Sequence, residues 1–367
     1  MKTSKLVMLA AGGTGGHLFP AFALAEELSR RGFIVDLVTD MRGDKYGENF
    51  PARTTYKIPS ATFKSLSPIA LIKTTYTLLR GFLVSIRLIR KSRPAALIGF
   101  GGYPSFMPLL AARIFCVPTA IHEQNAVLGR ANRILASYVD FIATSFEKTK
   151  LVDPALVSKV HFTGNPTRDV VKKASHISYA TYKQGQVFNL LVFGGSQGAK
   201  YFSDIVPEAL KLLPENLKNN LKIIQQARPE DMGRLRDIYK KIKIVAEVDS
   251  FFNDLPEKIA SSHLVIARSG ASTVAELCVI GRPSILVPLP HSLDNDQLNN
   301  ALRLAESGGA WCMEQKSLSS EKLSSEIEKL MQNGEILFKA AHRAKDNGKP
   351  DAVILLSNMV EEMLHTR

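Results

Sequence analysis

Two short apolar runs, each ending in a cluster of glycines and each followed by a helical stretch, constrain this chain more than any other feature. The first is Leu6 to Ala11 running into Gly12-Gly13-Thr14-Gly15-Gly16-His17; the second is Phe188 to Phe193 running into Gly194-Gly195-Ser196-Gln197-Gly198. A brief, unbroken apolar run bounded by glycine reads as a strand buried on both faces, and the glycines let the chain turn sharply into a helix. After the first loop a helix is expected from Phe19 to Arg31, with Pro20 suited to its first turn, then Gly32 and a strand Ile34 to Thr39. That is a βαβ unit. Strands over Ala95 to Gly99, Thr119 to His122 and Phe141 to Thr144 extend it, and Lys222 to Gln225, Ile242 to Val245, Leu264 to Ala267 and Ser284 to Pro288 extend the second copy. The fold class is therefore α/β, with two Rossmann-like, doubly wound parallel-sheet domains. The pattern breaks near Gly164-Asn165-Pro166, which sets the expected division at residues 1–164 and 165–345. In the remaining 346–367, a helical tail with no strand after it is a candidate to pack back on the N-terminal domain.

The 367 residues suit two domains, and 45% hydrophobic with 22% charged residues is ordinary globular composition. Cys116, Cys278 and Cys312 are far apart and show no metal-ligand spacing, so they read as reduced thiols in a cytosolic protein, and neither metal nor cofactor is expected. The apolar run after Lys5 is too short for a signal peptide, and the greasiest stretch, Leu66 to Ile89, is interrupted by Lys73, Arg80 and Arg87. A net charge of +13 calls for an acidic partner, which charge alone leaves open among nucleic acid, anionic lipid and a phosphorylated substrate.

Strand-to-helix glycine loops place backbone N–H groups and the positive end of a helix where a phosphate can sit. The first loop breaks the dinucleotide fingerprint, with Leu18 where its third glycine belongs; the second breaks the P-loop pattern at Ala199 and Tyr201. Either loop alone could equally be glycine permitting a tight turn. A third turn, Arg268-Ser269-Gly270-Ala271-Ser272-Thr273, opens a helix ended by Gly281-Arg282-Pro283 and suits a diphosphate. One turn in, Glu276 could accept hydrogen bonds from a ribose, although Thr273-x-x-Glu276 is also the pattern of a capping box that needs no ligand.

Gly12-Gly13-Thr14-Gly15-Gly16-His17-x-x-Pro20, Gly101-Gly102-Tyr103-Pro104-Ser105, His122-Glu123-Gln124-Asn125, Gly164-Asn165-Pro166-x-Arg168, Gly194 to Ala199 and Arg268 to Glu276 occur in that order along the chain. The ordered set resembles the bacterial N-acetylglucosaminyltransferases that make lipid II in peptidoglycan synthesis. That resemblance implies the GT-B architecture: two domains facing across a cleft, the first holding a lipid-linked acceptor and the second UDP-GlcNAc. It implies inverting transfer of GlcNAc to the C4 hydroxyl of the muramoyl sugar in undecaprenyl-pyrophosphoryl-MurNAc-pentapeptide (lipid I). Donor contacts carried over are Arg168, Ser196, Ser269, Gly270, Ala271, Ser272 and Thr273 on the phosphates, Glu276 on the ribose, Phe252 at the uracil and Gln297 on the sugar. Thr14, Gly15, Gly16 and Asn125 complete that set from the N-terminal side of the cleft, where His17 is the ionisable group best placed to assist deprotonation or, alternatively, plays a purely structural part. His122 could as easily be a buried partner of Glu123.

With lipid I as substrate, Pro68 to Lys91 is the expected membrane-facing segment. On a helix, Lys73, Arg80, Arg87 and Lys91 fall within about 40° of one another, opposite Leu71, Leu78, Phe82, Ile86 and Ile89. The chain is then a peripheral protein on the cytoplasmic face of the bacterial inner membrane, with UDP-GlcNAc, lipid I and an anionic membrane surface as partners and no nucleic acid. The rival enzyme is a UDP-GlcNAc 2-epimerase-like protein on the same scaffold. A non-catalytic RNA-binding module is disfavoured because aromatics are not interleaved with the basic residues.

Overall fold

The computed structural model describes residues 5–12, 15–40, 50–61 and 67–365, with residues 68–70 and 196–199 described by their backbone only. The chain forms two compact units, Met1–Arg168 with Lys349–Arg367, and Asp169–Gly348.

The first unit holds β1 (Leu6–Ala10), β2 (Ile34–Thr39), β3 (Thr54–Lys57), β4 (Ala96–Gly99), β5 (Thr119–Glu123), β6 (Phe141–Thr144) and β7 (Val160–Phe162), paired in parallel in the order β3-β2-β1-β4-β5-β6-β7. Both faces of this sheet are covered, so its central strands cannot alternate apolar with polar. Val7 and Leu9 of β1 pack with α1 (Gly15–Arg30) and the C-terminal helix Ala352–His365. Met8 and Ala10, pointing the other way, pack with α2 (Pro68–Ser92) and α3 (Tyr103–Ile114). The C-terminal helix buries Leu356, Met359, Val360 and Met363 in the first of these cores. Each such side chain contributes about 1.5–3 kcal/mol. The part-exposed ion pair Arg31–Glu361, at 3.1 Å, adds at most about 1 kcal/mol, so apolar burial holds this helix in place.

The second unit repeats the plan with β8 (Phe188–Phe193), β9 (Leu221–Gln226), β10 (Val245–Asp249), β11 (Leu264–Ala267), β12 (Ser284–Leu286) and β13 (Ala310–Cys312), all parallel in the order β10-β9-β8-β11-β12-β13.

Three expectations shift. Helix α1 begins at Gly15, so Pro20 lies inside it and Gly15, Gly16 and His17 form its first turn. The segment Ile242 to Ile244, expected as a strand, is the exit of helix Pro229–Lys241: Lys243 is left-handed (φ 56°) and the Ile244 N–H returns to Tyr239 O, so β10 starts only at Val245. Strands β3, β7 and β13 were not foreseen; each is a short sheet edge.

Candidate functional site

In an open parallel sheet, ligands bind beyond the carboxyl ends of the strands where the strand order reverses. In the first unit that point lies between β1 and β4, and the loops leaving them carry Gly12 and Gly101-Gly102. In the second it lies between β8 and β11, whose loops carry Gly194-Gly195 and Arg268-Ser269-Gly270. The glycine motifs thus occupy the corresponding place in each sheet.

In the first unit those glycines surround one side chain. Gly101 and Gly102 have φ of 84° and 74°, a conformation that favours glycine. A Cβ at Gly101 would stand 3.4 Å from His17 Nε2, and one at Gly12 or Gly102 would stand 3.4 Å from His17 Nδ1. The half-buried imidazole is therefore seated among three backbones that have no side chains. Gly15 is half-buried and closed by the Phe19 ring, whereas Gly16 is exposed; Thr14 lies outside the described residues. Arg168, expected with the donor contacts, belongs to the first unit, its guanidinium 4.4 Å above the Phe19 ring.

Beside this cradle, β5 ends in two buried titratable residues that do not pair with each other. His122 shares a hydrogen with Gly164 O through Nε2 (3.0 Å) and with Gln124 Nε2 through Nδ1 (3.0 Å), which assigns the neutral tautomer protonated on Nε2. Complete burial pushes its pKa down to about 4. The Glu123 carboxylate accepts four N–H groups: Asn125 N and Nδ2 on Oε1, Gly129 N and Asn132 Nδ2 on Oε2. Burial raises its pKa, against those bonds. Asn125 is thus held on Glu123 through both backbone and side chain.

In the second unit, the helix Ala271–Ile280 has Gly270 as N-cap without a side-chain cap, and its first intrahelical bond is Val274 N–H to Gly270 O at 3.0 Å. Thr273 is consequently the third residue of the helix, and the capping-box alternative for Thr273 and Glu276 fails because the box needs Thr at the cap itself. Glu276 is 7% exposed. Ser269 donates its hydroxyl to Gln297 O (2.8 Å) and receives Asn300 Nδ2 on its carbonyl (3.1 Å), so the hydroxyl expected on a phosphate is committed to helix Asp296–Glu306. Gln297 Oε1 accepts the Leu289 N–H at 3.0 Å, tying that helix to the loop after β12. Ser272 Oγ is buried and, among the described residues, has no hydrogen-bond partner. Ala271 is buried in the helix start. Phe252 is buried under Lys258, and its neighbour Phe251 is the exposed ring. The side chain of Ser196 lies outside the described residues.

Arg268 was missed as an individual contributor, although its place directly after a buried strand in a glycine turn was the available signal. It is buried, donates to Val287 O, Pro288 O and Gln315 Oε1 (3.1, 3.0 and 2.7 Å), and lies 5.0–5.1 Å over Phe202 and Tyr201. Those acceptors are all neutral, so the guanidinium keeps its net charge beside the turn. Among the described residues no group of three or more His, Cys, Asp or Glu side chains could hold a metal ion.

Helix α2 has three faces rather than two. Gly81, Ser85 and Ile89 are buried, Gly81 so closely that a Cβ would collide with Pro59 O. Lys73, Arg80, Arg87 and Lys91 are exposed along one side. Beside them runs an apolar stripe that was not foreseen: Ile72, Tyr76, Leu79 and Leu83 are 53–70% exposed. Among the described residues no helix is long and apolar enough to cross a membrane.

Residues 7–144 match the glycosyltransferase family 28 N-terminal domain and residues 189–356 the family 28 C-terminal domain. The chain is 51% identical, over 97% of its own length and 95% of the relative's, to the UDP-N-acetylglucosamine–N-acetylmuramyl-(pentapeptide) pyrophosphoryl-undecaprenol N-acetylglucosamine transferase of Chelativorans sp.. Among solved structures it superimposes on the MurG of Acinetobacter baumannii with a TM-score of 0.79 at 27% identity, covering 98% of this chain and 99% of that one. A UDP-N-acetylglucosamine 2-epimerase structure superimposes with a TM-score of 0.65 at 13% identity, covering 99% of this chain and 97% of that one, which is a likeness of fold alone. With both domain models matched in order and half of all residues shared with such a relative, the chain belongs to glycosyltransferase family 28.

Proposed function

We propose that this chain transfers GlcNAc from UDP-GlcNAc to the C4 hydroxyl of the muramoyl sugar of lipid I, with inversion, giving lipid II. The observation that carries the proposal is identity of 51% along the whole chain to a transferase named for that donor and acceptor. The two glycine-lined switch points fit a reaction with two substrates.

Direct displacement needs a base for the attacking hydroxyl and stabilisation for departing UDP. In the second unit the uncapped helix start at Ala271 offers first-turn N–H groups to a diphosphate, with Ser272 and Thr273 in that turn and Arg268 behind it as a fixed, unneutralised charge. Glu276, buried one turn inside that helix, is assigned to the ribose hydroxyls. Gln297 is assigned to the sugar, its amide already oriented by Leu289. Phe252 and the exposed Phe251 are assigned to the uracil end. In the first unit Gly15, Gly16, Asn125 and His17 are assigned to the face that meets the donor sugar and the acceptor, and His17 takes the proton of the attacking hydroxyl.

The acceptor is lipid-linked, and α2 provides the matching surface. Four exposed cations attract an anionic leaflet by up to about 4 kcal/mol, and the adjacent stripe of Ile72, Tyr76, Leu79 and Leu83 gives apolar side chains to insert. With that docking the chain is read as a peripheral membrane protein, and the cytoplasmic face is the side on which the nucleotide donor UDP-GlcNAc is expected.

Incubation with radiolabelled UDP-GlcNAc and a short-chain lipid I analogue tests the central reading. A labelled disaccharide lipid is the expected product. A 2-epimerised donor sugar, and no disaccharide, overturns it in favour of the epimerase.

A further inference from the structure

Glu123 is a buried carboxylate that, among the described residues, meets only neutral donors; no cation pairs with it. Each of its oxygens faces two N–H groups, leaving no acceptor for a carboxylic O–H, so the geometry requires the ionised form in spite of burial. Keeping such a group costs stability. An apolar residue or a shorter loop would close the β5–α4 turn (α4, Arg130–Leu135) more cheaply, and this invites a reason for the charge.

The reason lies in what Asn132 touches. Its Nδ2, 2.8 Å from Glu123 Oε2, is also 3.6 Å from the point where a Cβ at Gly101 would stand. His17 Nε2 is 3.4 Å from the same point. The imidazole and the Asn132 amide therefore pack around one backbone position, the left-handed Gly101, and a shift of Asn132 reaches His17 through a glycine with no side chain to absorb it. We infer that Glu123 is a positioning residue for His17, acting through Asn132 and the Gly101–Gly102 turn. This role presupposes the part in proton transfer proposed above for His17. The arrangement matches the general need of a catalytic base for a third group that orients it.

Glu123→Gln replaces one acceptor oxygen by an NH2 group, which must then oppose two N–H donors whichever way the amide turns. Asn132→Ala is the milder variant, leaving the Asn125 and Gly129 bonds to Glu123 intact. Three measurements decide: kcat and donor KM for each variant, the same in a His17→Ala background, and the ring nitrogen NMR signals of His17, identified by their loss in His17→Ala. The expected result is a kcat lowered by about 10- to 100-fold with donor KM within about twofold, no further loss beyond about twofold in the His17→Ala background, and displaced His17 ring signals. Losses that multiply fully with His17→Ala, or His17 signals coincident with wild type in Asn132→Ala, overturn the assignment. Full kcat in His17→Ala alone sinks the catalytic reading of His17 and the positioning role with it, and is recognised without any change at 123 or 132.

Discussion

Glu276→Gln separates a ligand contact from a helix cap. Glu276 is the sixth residue of the helix Ala271–Ile280, whose cap is Gly270, so its carboxylate is too far along the helix to close a capping box. The substitution keeps the side-chain length and one acceptor oxygen, and because Glu276 is buried the variant's unfolding midpoint is measured beside the kinetics. What it removes is charge assistance to a ribose hydroxyl, a difference of about 1.5–3 kcal/mol. At about 2 kcal/mol, donor kcat/KM falls about 30-fold. Calorimetry with UDP and with 2′-deoxy-UDP supplies the assay: wild type should prefer UDP, and Glu276→Gln should lose most of that preference. Thr273→Ala is the companion control, since a true capping box would lose about 1 kcal/mol of stability there and the third helical position should not. Retained discrimination between the two nucleotides by Glu276→Gln, or a stability loss equal in both variants, refutes the assignment.

His122 supplies a pH prediction. Its folded pKa of about 4 lies below the ordinary value near 6.5, so the unfolded chain binds the extra proton between those values and stability falls as pH drops through that window, by up to about 3 kcal/mol. Unfolding midpoints measured from pH 7 to pH 4 should show a shallower acid loss in His122→Asn; an unchanged slope contradicts it. Replacing Lys73, Arg80, Arg87 and Lys91 by Gln should abolish co-sedimentation with anionic vesicles at low salt while sparing activity on a soluble acceptor analogue, and Leu79→Ser with Leu83→Ser should weaken the salt-resistant part of binding. Wild-type vesicle binding by the Gln variant would remove α2 from the membrane surface.

Legibility in the sequence followed burial. The strands read closely were those with unbroken apolar runs, such as Leu6–Ala10 and Phe188–Phe193, covered on both faces. The missed strands, Thr54–Lys57, Val160–Phe162 and Ala310–Cys312, are all edges, and the displaced one, Val245–Asp249, is the fourth edge. An edge strand is short and partly solvated, so its side chains carry little of the apolar signal by which a strand is read. The site behaved similarly. Its glycine turns were visible because left-handed backbone and close approach demand glycine locally, at Gly101 and Gly102 above all. The function of Glu123 was not, because its partners Gly129 and Asn132 are brought to it by a turn whose course no local pattern dictates.

By itself the sequence determined two parallel-sheet domains, the glycine loops that open them, the order of motifs that resembles the lipid II-forming N-acetylglucosaminyltransferases, and a helical segment from Pro68 to Lys91 carrying a row of cations. All of these depend on periodicity and on backbone conformations that particular residues permit or forbid, and such constraints act within a few positions along the chain. Tertiary structure alone decided that Thr273 is not a cap, that Phe251 rather than Phe252 is the exposed ring, that Ser269 is spent on helix Asp296–Glu306, and that α2 keeps a third, apolar face in solvent. Each of those depends on which element packs opposite. A helix of suitable pattern can bury more than one of its faces, and only the neighbour that arrives, here Pro59 against Gly81, selects the one that is lost from water.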